Sequence, residues 1–223
     1  MPTPPTLDEQ EPENRCSHCK RLLFLAELNR FACFLCEDRA REHLKALPGQ
    51  YDDLGKILAP GRRGDGSTKV TASKSAPLPL ALTPLNMRAK GGMVTLLQDV
   101  EDSWRRSRRR TIATFAGDLQ QTLADVTNYL ALNLTSACEQ YDEVADDLDT
   151  IGTLYWRAKS LIEGNEPRLI PVRCRYLFDD GTECDAPMHV DINRASAKCS
   201  DCGQRWGQQE WMALFEATRA TAA

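Results

Sequence analysis

The chain has 223 residues, 42% of them hydrophobic, and 28 Lys and Arg stand against 32 Asp and Glu for a formal net charge of −4. That length suits two or three small modules, each with its own core, better than one large enzyme scaffold. The mildly acidic balance argues against coating nucleic acid by bulk charge, and a mean hydropathy of −0.46 without a long apolar run argues against a membrane-spanning helix.

The opening stretch MPTPPTLDEQEPENR is rich in Pro and acid and carries neither a basic n-region nor an apolar h-region. Residues 1–15 are therefore expected to be a disordered lead-in and not a secretory signal. Nine cysteines in such a chain need an explanation in the reducing cytoplasm, where clustered thiols more often hold metal than form disulfides.

Residues 16–60 form the first expected module. Cys16, Cys19, Cys33 and Cys36 read C-x2-C-x13-C-x2-C. Two residues between paired cysteines let a tight turn aim both thiolates at one ion, and the loop brings a second pair to complete a tetrahedron, with Zn2+ the expected ion. Cys36 opens the stretch EDRAREHLKAL, in which Ala40, Leu44 and Leu47 have helical spacing up to a stop signal at Pro48-Gly49. A second short helix is expected to carry Tyr51, Leu54, Ile57 and Leu58. His18, inside the first knuckle, could replace a cysteine as ligand but is expected to point to solvent, and His43 to lie on a helix surface.

Residues 61–92 combine Gly, Pro, Ser and scattered charge, the composition of a linker or extended arm, in which Arg62, Arg63, Lys69 and Lys74 could serve as mobile cations. The glycines of GRRGDGST do not make a phosphate loop, because Ser67 stands where its lysine must be.

Residues 93–164 are expected to be a helical hairpin or three-helix unit. Val94, Leu97, Val100 and Trp104, then Ile112, Phe115, Leu119, Leu123, Val126 and Leu130, and finally Tyr141, Val144, Leu148, Ile151, Tyr155, Ala158 and Ile162 recur every three or four positions. The break is placed at NLTSACE, where Asn133 can end one helix and Ser136 with Glu139 has capping-box spacing for the next. Cys138, far in sequence from the other cysteines, reads as a small buried apolar residue and not a ligand.

This segment also holds WRRSRRR, with Arg105, Arg106, Arg108, Arg109 and Arg110. On a helix they would spread over more than half the circumference and must meet solvent, acids or phosphate. Three partners stay open: DNA or RNA phosphate, whose neutralisation releases counterions, the acidic stretch EQYDEVADDLD, which a hairpin could set beside them, and an acidic protein. Trp104 is expected in the core.

Residues 168–207 turn to short strands. Cys174, Cys184, Cys199 and Cys202 read C-x9-C-x14-C-x2-C, and the wide first spacing closes if RYLFDDGTE is a hairpin tipped at Asp180-Gly181. Gly203 would supply a left-handed turn after the last knuckle. His189 is the nearby alternative ligand, and residues 208–223 should end in a short helix. Four thiolates per ion leave no open position, so both Zn2+ sites are expected to be structural, with no catalytic residue and no small-molecule substrate. HVD ahead of KCSDC departs from the deaminase signature, since Asp191 replaces its Glu and Lys198 its proline.

The expected fold class is thus α+β: zinc-ribbon or treble-clef-like modules at both ends of a helical middle. With CSHC…RFACFLC, APLPLAL and C…DDGTEC…CSDCGQRW, the chain resembles uncharacterised two-zinc-ribbon proteins of actinobacteria and their phages or prophages. That resemblance implies a regulatory or nucleic-acid-associated role. The other reading is a protein–protein scaffold or homo-oligomer whose ribbons act as staples.

Overall fold

The computed structural model describes residues 14–58, 82–113, 117–164 and 169–221. In chain order these form a one-turn 3-10 helix (Leu25–Glu27), α1 (Phe34–Leu58), α2 (Leu82–Arg88), α3 (Met93–Ser107), α4 (Leu119–Gln140), α5 (Val144–Glu163), strands β1 (Leu169–Arg173), β2 (Pro187–Asp191), β3 (Ser196–Lys198) and β4 (Arg205–Gly207), and α6 (Gln208–Thr221). The protein is mixed helix and small antiparallel sheet, with a four-cysteine cluster toward each end. The arm cations Arg62, Arg63, Lys69 and Lys74, and Phe115, lie outside the described residues. Helix α2 falls within the stretch read as a linker.

The chain divides into two compact units: Met1–Glu37 with Ser136–Asp146 and Leu169–Ala223, and Asp38–Thr135 with Asp147–Arg168. The second, helical unit buries Ala40, Leu44, Leu47, Tyr51 and Leu54 of α1, Leu97, Val100 and Trp104 of α3, Leu123, Val126, Leu130 and Leu134 of α4, and Leu148, Ile151, Leu154 and Ala158 of α5. Two expected breaks are absent. Helix α1 runs through Pro48-Gly49, because its apolar stripe keeps register on both sides of the proline. Burying Tyr51 and Leu54, at about 1.5–3 kcal/mol for each large apolar side chain, offsets the ~3 kcal/mol cost of an interior proline. Likewise α4 runs through NLTSACE to Gln140, since Leu134, Ala137 and Cys138 extend the buried face. Asn133 is no cap: its Nδ2 donates to the Tyr129 carbonyl at 2.7 Å. Ser136 Oγ bonds the Gln140 side chain at 3.4 Å. The chain turns instead at 141–143, before α5.

Trp104 is in the core, with Nε1 donating to Asp147 Oδ2 at 2.6 Å. Ile112, by contrast, is exposed and lies outside any helix. His43 is half-buried and stacks on Tyr155, with ring centroids 4.1 Å apart.

In the first unit, β1 pairs with β2 and β3 with β4, both antiparallel. Period-2 alternation turns Met188 and Val190 of β2 inward and His189 outward. With Val172, Ala186, Trp211 and Leu214 they form a small core that includes Cys174 and Cys199. Helix α6 supplies its last two large side chains, as the spacing of Trp211 and Leu214 requires.

Candidate metal centres

The N-terminal cluster is built from two tight turns held against each other. In the first, Cys16 N donates to Arg21 O at 2.8 Å and Lys20 N to Cys16 O at 2.9 Å. In the second, which opens α1, Cys36 N and Glu37 N both reach Cys33 O at 3.1 Å. Ser17 N and Oγ bind Phe31 O at 2.8 and 2.7 Å, and Cys33 N points at Cys16 Sγ at 3.3 Å, which fixes one turn on the other. The four sulfurs lie within 4.8 Å of one another. Cys16 and Cys36 are 3.9 Å apart, Cys19 and Cys33 3.7 Å. A tetrahedral ion with 2.3 Å metal–sulfur bonds requires about 3.8 Å between sulfurs. The cluster could therefore hold a metal ion without rearrangement.

Hydrogen bonding among the thiols sorts their acidity. A bond from Cys19 is the chief cause that lowers Cys16, to about 6. Bonds from Cys16 and then Cys19 lower Cys33. Cys19 and Cys36 are raised, each foremost by its bond to Cys16.

His18 does not face solvent. It is buried, with Nδ1 3.2 Å from Cys36 Sγ, close enough to hydrogen-bond a ligand sulfur without displacing it from the set. Arg21 is raised above its ordinary value, foremost by hydrogen bonding to Cys33, and its Nη2 also grips Glu27 at 2.7 and 2.8 Å. Behind the cluster, buried Arg30 pairs with buried Glu37 and, at 2.9 Å, with Glu139 of α4, while its Nε donates to Ala32 O at 3.1 Å. Sequence reading passed over this network. Its one local signal was a charge on each side of the second knuckle, and Glu139 lies 109 residues away. Cys138 sits beside it as a fully buried thiol, pushed up to about 12 by burial first and by Glu37 next, and its carbonyl accepts from Phe31 N and Ala32 N at 2.8 and 3.2 Å.

The C-terminal cluster forms as the hairpin reading required. Cys184 N bonds Tyr176 O at 2.8 Å, Asp185 N bonds Cys174 O at 2.9 Å, and Phe178 N bonds Thr182 O at 2.9 Å, so RYLFDDGTE folds back and returns Cys184 to Cys174. At the tip Asp180 Oδ1 accepts from Thr182 N and Oγ1 at 2.9 and 2.6 Å. The last knuckle closes with Gly203 N on Cys199 O at 3.1 Å and Gly203 at φ +75°, the left-handed geometry a Cβ would strain. Cys174 and Cys202 are 3.6 Å apart and Cys184 and Cys199 3.8 Å, again the edges of a metal-sized tetrahedron. Cys174 and Cys202 are raised, foremost by burial, against the amides of Tyr176 and Gln204 and, at Cys174, the Trp206 side chain; Cys184 is raised as well, against the Ala186 amide. Burial works to raise Cys199, but the amides of Cys202 and Asp201 outweigh it and the thiol is lowered. His189 is exposed on the outer face of β2.

Both clusters belong to the same unit, although 137 residues separate Cys36 from the next ligand, Cys174. A Cβ at Gly207 would stand 2.3 Å from Cys19 O, so only glycine allows β4 this close to the first knuckle. Asp146 receives Lys198 Nζ at 2.9 Å and Arg205 Nη2 at 2.5 Å.

The five arginines of WRRSRRR, in the helical unit, do not share one environment. Helix α3 ends at Ser107, so only Arg105 and Arg106 are helical. Arg105 Nε donates to Glu101 at 2.6 Å, and its guanidinium lies 4.0 Å from the Tyr129 ring centroid. Arg108 donates to Asn133 Oδ1 at 2.5 Å. Arg106 approaches Asp102 only at 3.8 Å with 62% of its side chain exposed, and Arg109 and Arg110 are exposed in the turn that follows. The acidic stretch is engaged elsewhere: Glu139 with Arg30, Asp146 with Lys198 and Arg205, Asp147 with Trp104.

Among the described residues no helix is long and apolar enough to cross a membrane. Compared with protein-family models, curated proteins and solved structures, the chain matches none.

Proposed function

We propose that the protein is a non-enzymatic, zinc-stabilised binding protein of the reducing cytoplasm, acting as a regulatory adaptor of the phage or prophage type that its cysteine frame resembles. The observation that carries this reading is that each cluster presents four sulfurs at tetrahedral spacing. Four thiolates fill the coordination sphere of Zn2+, whereas a catalytic zinc keeps one position for water or substrate. The soft, all-sulfur donor set favours Zn2+ over Mg2+ or Ca2+. The ions then work as staples, and function falls to the surfaces they hold in place. Substitution by Co2+ tests this. Two tetrahedral thiolate-bound ions per chain, with spectra indifferent to added azide or imidazole, are expected; a shift on adding either would reveal an open position and overturn the structural role.

Nucleic acid is the second reading, supported by the exposure of Arg106, Arg109 and Arg110 at the end of α3. Replacing these three with Gln should weaken binding to unrelated duplexes alike and reduce the salt slope by about 1 per lost phosphate contact. Absence of salt-dependent binding in the wild-type protein would leave the adaptor role to protein partners.

A further inference from the structure

The N-terminal knuckle carries an apolar surface that the metal does not explain. Phe24, Leu25, Leu28, Phe31, Phe34 and Leu35 are all exposed, Leu25 by 88% and Phe24 by 60%, and Leu22 adjoins them. One buried carboxylate gathers this surface. Glu27 Oε1 accepts from Phe34 N at 2.8 Å and Oε2 from Phe24 N at 3.4 Å, which brings the loop and the start of α1 side by side. Leu25 occupies a left-handed conformation, φ +41°, which costs a γ-branched residue strain and is retained although its side chain meets water.

At roughly 180 Å² per fully exposed large side chain, the six residues present roughly 600 Å² of apolar surface, at the upper edge of the largest patch on a typical monomer. A standard interface removes about 800 Å² per partner, and about two-thirds of that is apolar in homodimers. One such patch against another is enough for a dimer. Within residues 14–37 both acids, Glu27 and Glu37, are buried and taken by Arg21 and Arg30, so neither breaks the apolar surface. A surface this apolar must also be covered whenever the chain is present, and a second copy is the partner whose amount always matches.

We propose that Phe24, Leu25, Leu28, Phe31, Phe34 and Leu35 form the two-fold interface of a homodimer built on the N-terminal knuckle. The proposal rests on the adaptor reading only in requiring a folded knuckle. Sedimentation velocity and native mass of the metal-loaded full chain should show a dimer at micromolar concentration that does not dissociate on adding salt. Phe24→Ser combined with Leu25→Ser should weaken it about 100-fold or more while keeping both metal ions, since four large apolar side chains leave the interface. Leu25→Asp, at a position already in water in the single chain, should do the same by placing like charges across the two-fold axis. Met212→Ser, at an exposed apolar position on α6, should leave the dimer intact. A wild-type monomer, or dimers unchanged by both knuckle variants, would overturn the proposal. Metal content measured on the same samples separates the two ideas: a monomer with two ions defeats the dimer alone, and a dimer without ions defeats the zinc reading alone.

Discussion

In the N-terminal cluster the sulfurs are attended by a side chain, His18 on Cys36, as well as by the Cys33 amide on Cys16, with the buried Arg30–Glu37 pair behind them. In the C-terminal cluster the amides of Tyr176, Ala186 and Gln204 work to lower the thiols, and Trp206 is the one side chain outside the cysteines that does so. Three of the four N-terminal cysteines are buried, against two of four in the C-terminal cluster. Both arrangements offset the negative charge of four thiolates, but at different levels of the chain's organisation. Amide donors come with the knuckle turn itself and ask nothing of the side chains. Side-chain donors must be held by tertiary contacts, so the first cluster, braced by Glu139 through Arg30, depends more on residues distant in sequence.

The largest effect that tests this contrast is removal of a ligand. Cys33→Ser and Cys199→Ser should each lower metal content from about two ions per chain to about one, at a cost to the local fold on the order of 10 kcal/mol, the scale measured for isolated fingers. Elemental analysis reads the stoichiometry, and far-UV circular dichroism should retain most of the helical signal, which comes from the other unit. Loss of both ions from either variant would show that the clusters fold as one and erase the distinction drawn above.

Next comes Arg30→Ala. Removing the guanidinium takes the opposite charge from buried Glu37, and breaking a buried pair costs about 3–5 kcal/mol. Urea unfolding followed by metal release should show the N-terminal ion leaving at lower denaturant and the C-terminal ion unmoved. Equal loss at both would mean that the network supports the whole unit and not one cluster.

The smallest change is His18→Ala, which takes one outer hydrogen bond from Cys36. Outer-shell donors typically carry about 10–100-fold in metal affinity, so competition with a chelator should weaken one of the two ions by that range. The C-terminal cluster has no equivalent histidine among the described residues, since His189 faces away. Two ions that still titrate as in the wild type would remove His18 from the site.

Much of the candidate site was legible in the chain because its chemistry is local. A C-x2-C turn needs only its own backbone to aim two thiolates, and the Asp180-Gly181 hairpin needs only its own turn to close the wide C-x9-C spacing. Helical stripes around Val94–Trp104 and Leu123–Leu130 were legible for the same reason, since periodicity alone states which face is buried. Helix ends were less so. Pro48-Gly49 and Ser136–Glu139 carry the right local signals for breaks, and the buried stripes on either side of each override them.

The sequence by itself determined which residues can bind metal, that each set has four thiolates, and that Cys138 stands apart, because ligand identity and short-range turns are properties of a few adjacent residues. Only the tertiary structure decided that both clusters share one unit, that Gly207 must lack a Cβ beside Cys19, that His18 turns inward, and that Arg30 finds Glu139 across 109 residues. Those outcomes depend on which distant surfaces bury each other, and no local pattern encodes a partner that the chain meets only after it has folded.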